Sequence, residues 1–331
     1  MKPFDYYRVA TVEQAVALLT RYQDKAAILA GGSDLLGMLK DRIAGPKLQP
    51  PQHLIDIKGI RGLASIEEQP QGVRIGAAAT LADIAASEIV GRQYPLLARA
   101  AKQVAAPQIR NVATLGGNLC QRPRCWYFRG RLFADCLRKG GGACYAQPEE
   151  AENQYHAILG GEPCAMVYPS DMAPALIALD AKAEIVGPKG KKVVPLEKFY
   201  VTPEMTYLKE TVLSPQEMLV AVEIPAAAQG RKGVYLKLKE RQAFDFALVS
   251  VAVSVAVKGS QVTDARVVFG GIAPFPARSA KAEAALKGKD LKNAVAEACT
   301  AAVQGCKPLR KNGYKIDAAK GILEQALNQL A

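Results

Sequence analysis

With 331 residues, half of them hydrophobic, the chain can build two or three domains with cores of their own. The net charge of +12 invites a nucleic-acid partner, but aromatics are only 6% and no helix-turn-helix, zinc-finger or RNP pattern occurs. Anionic cofactors or an acidic partner subunit suit this basic surface better. Residues 1–10 carry no apolar signal-peptide core, and the longest apolar run, 246–257, is shorter than the roughly 20 residues of a bilayer span, so neither a leader nor membrane insertion is expected.

Thr11-Val12-Glu13-Gln14 reads as a capping box opening a helix, with Val12, Ala15, Val16 and Leu19 on one face. Ala26–Ala30 is a short buried strand running into Gly31-Gly32-Ser33-Asp34, after which Leu35, Leu36 and Leu39 resume a helical period. A glycine turn between strand and helix exposes backbone N–H groups at a positive dipole end, a seat for phosphate. It fits neither G-x-G-x-x-G nor the Walker pattern, which argues against Rossmann and P-loop readings. Prolines 46, 50 and 51 mark a linker before a strand at 54–57. Strands follow at 63–67 and 73–78, joined by the Gln69-Pro70-Gln71-Gly72 turn. Thr80 can cap a helix over 81–86, and Pro95 begins another through about Val104.

Residues 114–171 carry little periodicity, and a loop of this length is either disordered or held by something other than packing. It opens on the glycine turn Thr114-Leu115-Gly116-Gly117-Asn118 and contains five of the seven cysteines: 120, 125, 136, 144 and 164. Clustering and an odd count argue against a disulfide framework. Cys125, Cys136, Cys144 and Cys164 are separated by ten, seven and nineteen residues, without the short pair usual in structural zinc sites. Spacing alone leaves an iron–sulfur cluster, zinc and free buried thiols open, with Cys120 as a rival ligand. Arg122, Arg124, Arg129, Arg131, Arg138 and Lys139 crowd the loop against one acid, Asp135. They would raise the potential of an anionic cluster, or equally form a solvated basic loop that docks on an acidic partner.

Beyond it, 171–179 looks helical, 182–186 and 191–194 form a hairpin, and 218–224 is a strand. A change of composition at 226–230 suggests a domain boundary, followed by strands at 234–239, 246–257 and 265–269 and helices near 279–286, 291–303 and 316–330. Strands first and helices after indicate an α+β unit. Cys299 and Cys306 read as packing residues. The two histidines, 53 and 156, offer no triad or metal pattern, which fits a protein whose cofactors carry the chemistry.

The segments Leu29-Ala30-Gly31-Gly32-Ser33-Asp34-Leu35-Leu36, Gln108–Asn118, Pro169-Ser170-Asp171 and Arg241–Ala247 together resemble the FAD-binding (medium) subunit of the xanthine dehydrogenase and carbon monoxide dehydrogenase superfamily of molybdenum hydroxylases. The cysteine insert, in Arg124–Arg129 and Cys164–Asp171, is similar to the version in periplasmic-type aldehyde oxidoreductase, where it carries a [4Fe–4S] cluster. The resemblance implies an α+β chain with a vanillyl-alcohol-oxidase-type FAD-binding fold. The FAD-binding domain would span 1–225, in subdomains 1–53 and 54–225 with the insert at 119–166, and a C-terminal α+β domain would span 226–331. It implies that Leu29–Leu36 and the Gly116-Gly117 turn hold the pyrophosphate, that Thr80, Thr114, Asn118 and Asp171 bond the phosphates, ribityl or ribose, and that Lys239 lies near the flavin. Cys125, Cys136, Cys144 and Cys164 would be the cluster ligands, and Cys120 has no counterpart.

The implied activity is electron transfer from iron–sulfur centres through FAD to an external acceptor. The implied partners are a molybdenum-cofactor large subunit and a [2Fe–2S] small subunit, in the cytoplasm or, with a signal on a partner, the periplasm. The competing readings are a stand-alone FAD oxidoreductase of the same fold and a zinc-stapled basic binding module. Absorbance separates them: brown with flavin peaks, yellow, or colourless.

Overall fold

The computed structural model describes residues 1–331 as three sheets. The first is parallel, with β1 (Asp5–Arg8), β2 (Ala26–Leu29) and β3 (His53–Asp56) in the order β1-β3-β2. β1 is too short and too polar to be read from pattern; it is an edge strand formed because β3 offers a partner. β3, expected to open the second subdomain, is the middle strand of this first sheet. The helix Val12–Tyr22 packs beside it through Ala15 and Leu19. Thr11 caps that helix through Gln14 N, while Gln14 Oε1 accepts from Ala10 N, one residue before the cap.

The second sheet is antiparallel, with β4 (Ile66–Gln69), β5 (Gly72–Gly76), β6 (Lys182–Gly187), β7 (Gly190–Pro195) and β8 (Met218–Pro225) in the order β4-β5-β8-β6-β7. β4 is shorter than expected, and Gly72 belongs to β5. A Cβ on Gly72 would meet Ile224 O at 1.9 Å, so β8 can pair there only with glycine. The main core lies under this sheet, filled by helices Leu81–Ala86, Pro95–Gln103 and Met172–Ala178, the last buried at every position. Thr80 and Asp83 form the capping box of the first of these.

The third sheet is also antiparallel: β9 (Lys232–Leu238), β10 (Val249–Lys258), β11 (Gln261–Gly270) and β12 (Ala277–Arg278), in the order β12-β11-β10-β9. Helices Ala280–Leu286, Leu291–Ala302 and Tyr314–Leu330 cover it. Cys299 is buried in that core and Cys306 packs against it. β10 begins at Val249, so Phe246, expected inside the strand, stands outside it and lines a cavity. No helix is long and apolar enough to cross a membrane.

The cysteine insert lies among the three sheets with almost no regular structure of its own, chiefly the four-residue helix Trp126–Arg129 and a single turn at 137–139. Side chains tie it down instead. Lys139 is fully buried and donates to the carbonyls of Gly130 (2.6 Å) and Phe133 (3.0 Å). At its far arm, Asn312 donates to His156 O and Ala157 O, and Lys315 to Tyr155 O, His156 O and Gly271 O. Those bonds fasten residues 155–157 to the C-terminal helices.

Candidate functional site

A cavity of about 240 Å³ lies between the first two sheets. Its walls include Leu29–Leu35 on one side and Thr114, Gly116, Gly117, Cys120 and Arg122 on the other. Leu36 is not on this wall; its side chain packs beside Gly32. The five consecutive amides of Gly31, Gly32, Ser33, Asp34 and Leu35 make no hydrogen bond within the chain. Backbone donors left free on the wall of a cleft, where a strand runs into a helix, fit an anionic ligand such as a pyrophosphate.

The second turn is built differently. Its amides are committed: Leu115 N to Ala79 O, Gly116 N to Ala77 O, Asn118 N to Thr114 O and Gly117 N to Thr114 Oγ1. It therefore gives the cleft a small surface and no free donors. The glycines also differ in what they need. A Cβ on Gly31 would meet Val112 O at 1.8 Å, and Gly32 has φ +71°. Both are required by the turn itself. A Cβ on Gly117 would meet only Thr114 Oγ1, at 3.1 Å.

Of the polar residues expected at the cofactor, Thr80 caps its helix and bridges to Thr114. Asn118 Oδ1 accepts from Ser170 Oγ at 2.6 Å, which locks the second turn to Pro169-Ser170-Asp171. Asp171 is buried and accepts from Tyr235 OH (2.6 Å) and Lys237 Nζ (2.8 Å). Each oxygen keeps a lone pair for a ligand hydroxyl. Lys239 bonds to the carbonyls of Gln242 and Ala243, away from Asp171. Strand alternation places Tyr235, Lys237 and Lys239 on one face, but β9 ends at Leu238, which leaves Lys237 as the buried partner. Asp171 also borders a second cavity of about 300 Å³, walled by Trp126, Tyr155, Tyr168, Phe246 and Arg124 among others. The segment 120–126 runs from one cavity to the other.

Asp34 joins the glycine turn to the insert. Its carboxylate accepts from Arg122 N (2.8 Å), Arg124 Nη2 (2.9 Å) and Arg129 Nη2 (2.6 Å). Arg122, Arg124, Arg129 and Arg138 thus face inward, with acids from distant sequence, Asp34 and Glu210, whereas Arg131 stays exposed, as in the solvated basic loop that was one expectation. Asp34→Asn should lower the unfolding free energy by about 2 kcal/mol, because two partly buried guanidinium groups lose their anion. A urea titration checks this, and an unchanged midpoint would show that packing alone holds these arginines.

Cys125, Cys136, Cys144 and Cys164 line one small buried cavity together with Phe128, Arg138, Tyr145 and His156. Of these, Cys136 and Cys144 are brought together by the turn at 139–142. There a Cβ on Gly141 would meet Asp135 O at 2.2 Å, and Gly140 has φ +87°. No three His, Cys, Asp or Glu side chains in the chain converge on a point as a single metal ion requires. Burial pushes the Cys125 thiol up to about 12. Cys164 goes the other way, down to about 6, through the Cys144 thiol beside it and the Arg138 guanidinium. His156 Nε2 lies 3.3 Å from Cys125 Sγ and is held down to about 4 by burial and Lys315. This histidine had no role on sequence grounds; the structure places it, 31 residues beyond Cys125, on the wall of the same cavity.

Cys120 is elsewhere. It borders the 240 Å³ cleft, and burial pushes its thiol up to about 12. Cys125 is the cysteine that lines both the thiol cavity and the 300 Å³ cavity.

Comparison with known proteins gives a consistent set of likenesses. Residues 2–227 match the family described as the FAD binding domain in molybdopterin dehydrogenase. Residues 234–330 match the CO dehydrogenase flavoprotein C-terminal domain. The chain is 41% identical over 289 residues to the aldehyde oxidoreductase FAD-binding subunit PaoB of Escherichia coli, covering 86% of each. It is 34% identical over 331 residues to the carbon monoxide dehydrogenase medium chain of Hydrogenophaga pseudoflava, covering 98% of this chain and 96% of that one. The solved structure of carbon monoxide dehydrogenase from the same organism, in a form lacking the Mo-pyranopterin moiety, superposes with a TM-score of 0.78 at 33% identity, over 99% and 97% of the two chains.

Proposed function

Because the chain belongs to the FAD-binding subunits of the molybdopterin dehydrogenases, we propose that it serves as the FAD- and [4Fe–4S]-containing electron-transfer subunit of an aldehyde oxidoreductase. The observation that carries this reading is the set of four cysteines lining one buried cavity, with Cys125 also on the wall of the 300 Å³ cavity that Asp171 borders.

When bound, FAD exchanges electrons singly or in pairs, which links one-electron centres to a two-electron acceptor. The free amides of Gly31–Leu35 hold the pyrophosphate, and the Gly116-Gly117 surface lets it approach closely. Asp171, fixed by Lys237 and Tyr235, orients a sugar or ribityl hydroxyl. Trp126, Tyr168 and Phe246 give the second cavity an apolar part of its wall. Cys125, Cys136, Cys144 and Cys164, which line the thiol cavity, would be the cluster ligands.

The partners are a molybdenum-cofactor large subunit and a [2Fe–2S] small subunit, since this chain has redox-cofactor seats but no substrate-activating residues. Expressed alone, it should be reduced by dithionite and reoxidised by an artificial acceptor, yet oxidise no aldehyde or purine. Stopped-flow absorbance and steady-state assays check both halves. Substrate turnover by the isolated chain would establish the stand-alone flavoenzyme instead.

A further inference from the structure

We propose that Arg138, held by Glu210, donates to the sulfur atoms of the cluster and sets how readily it is reduced. This rests on the reading that Cys125, Cys136, Cys144 and Cys164 hold a [4Fe–4S] cluster. Arg138 is 1% exposed and belongs to the wall of the thiol cavity. Its Nε donates to Cys164 Sγ at 3.4 Å. Its Nη1 donates to Glu210 Oε1 at 2.7 Å and to Lys209 O at 3.3 Å. Its Nη2 is buried and has no partner.

In a guanidinium group, Nε–H and one Nη2–H point from the same edge of the plane. The unpartnered donor therefore lies on the edge that already faces Cys164 sulfur. A buried, charged donor without an acceptor is costly, so the cavity is built for an occupant with further sulfur acceptors. Inorganic sulfide beside the Cys164 ligand satisfies it. A bare dication would leave the donor unsatisfied and be repelled by the guanidinium.

The charge balance around this edge has a definite sign. Glu210 also binds Arg122, Oε2 to Nε at 2.8 Å, so two cations share one anion in a buried network. One-electron reduction adds a negative charge at the cavity, with no proton needed. Arg138 stabilises that charge more than the oxidised form, and Glu210 partly cancels the effect.

The test is an anaerobic potentiometric titration of the whole chain, poised with dithionite and ferricyanide and read by the electron paramagnetic resonance of the reduced iron. Arg138→Met should lower the midpoint, by about tenfold in the reduction equilibrium, which is about 59 mV for one electron. Glu210→Gln should raise it. A purely structural role would move both variants the same way, through loosening of the site. Arg138→Lys, which keeps the charge, should stay closer to the parent than Arg138→Met. Should Arg138→Met lose its iron, Glu210→Gln and Arg138→Lys decide the matter by the same criterion. Iron retained with an unchanged midpoint, or equal shifts in both variants, would overturn this inference and leave the cluster standing. A parent chain carrying zinc and no iron would overturn both.

Discussion

Serine at any one of Cys125, Cys136, Cys144 or Cys164 is expected to remove nearly all iron from the protein, against about four irons and four sulfides per parent chain. Serine at Cys120 is expected to leave the iron in place, because that side chain borders the FAD cleft and not the thiol cavity. Metal binding at such sites supplies ordering energy on the order of 10 kcal/mol, so the apo variants should melt well below the parent. The loosening should be uneven. Residues 125–146 depend on the cavity's contents, whereas 153–157 stay fastened through Lys311, Asn312 and Lys315. Hydrogen exchange followed by mass spectrometry should show faster exchange in the first segment and protection in the second. Flavin should remain bound, since the free amides of 31–35 belong to the first sheet's own turn. Iron lost from Cys120→Ser but kept in Cys125→Ser would reverse the ligand assignment.

Valine at Gly117 should abolish FAD binding while the chain stays folded. A Cβ there has only Thr114 Oγ1 within 4 Å, at 3.1 Å, and the position lines the cleft, so the added methyl groups occupy the ligand's space. Affinity should fall at least a hundredfold, about 2.7 kcal/mol, read from the flavin absorbance that survives gel filtration. Gly91→Ala serves as the control, because it adds a Cβ in open space away from the cleft. Substitution at Gly31 or Gly32 would be a poorer probe. The first would collide with the Val112 carbonyl and the second would strain a φ of +71°, so flavin loss there would report misfolding as readily as blocked binding. Full FAD occupancy in Gly117→Val would remove the second turn from the cofactor site.

Much of the architecture could be read locally. The cap at Thr11, the capping box at Thr80 and the hairpin at 182–195 are decided within a few residues, by side-chain bonds to the backbone and by alternation. The same holds for the first glycine turn, where a strand runs straight into a helix and leaves amides without partners. That the insert's thiols would gather was expected too, because a long aperiodic stretch rich in cysteine has few other means of being ordered, but spacing left Cys120 a rival to the four that line the cavity.

What the tertiary structure alone decided is which groups answer one another across the chain. Asp34 is 95 residues from Arg129, Glu210 is 72 from Arg138, and Asp171 is 66 from Lys237. No local periodicity encodes such pairs; burial selects them, because a charge withdrawn from water must find its counter-charge wherever the fold brings one. Arg122, Arg124, Arg129 and Arg138, which by sequence could equally face solvent, turn inward for that reason. The choice of Lys237 over Lys239 and the separation of Cys120 from the other thiols follow in the same way. Residues one strand position or one short loop apart belong to different cavities once three sheets close around them.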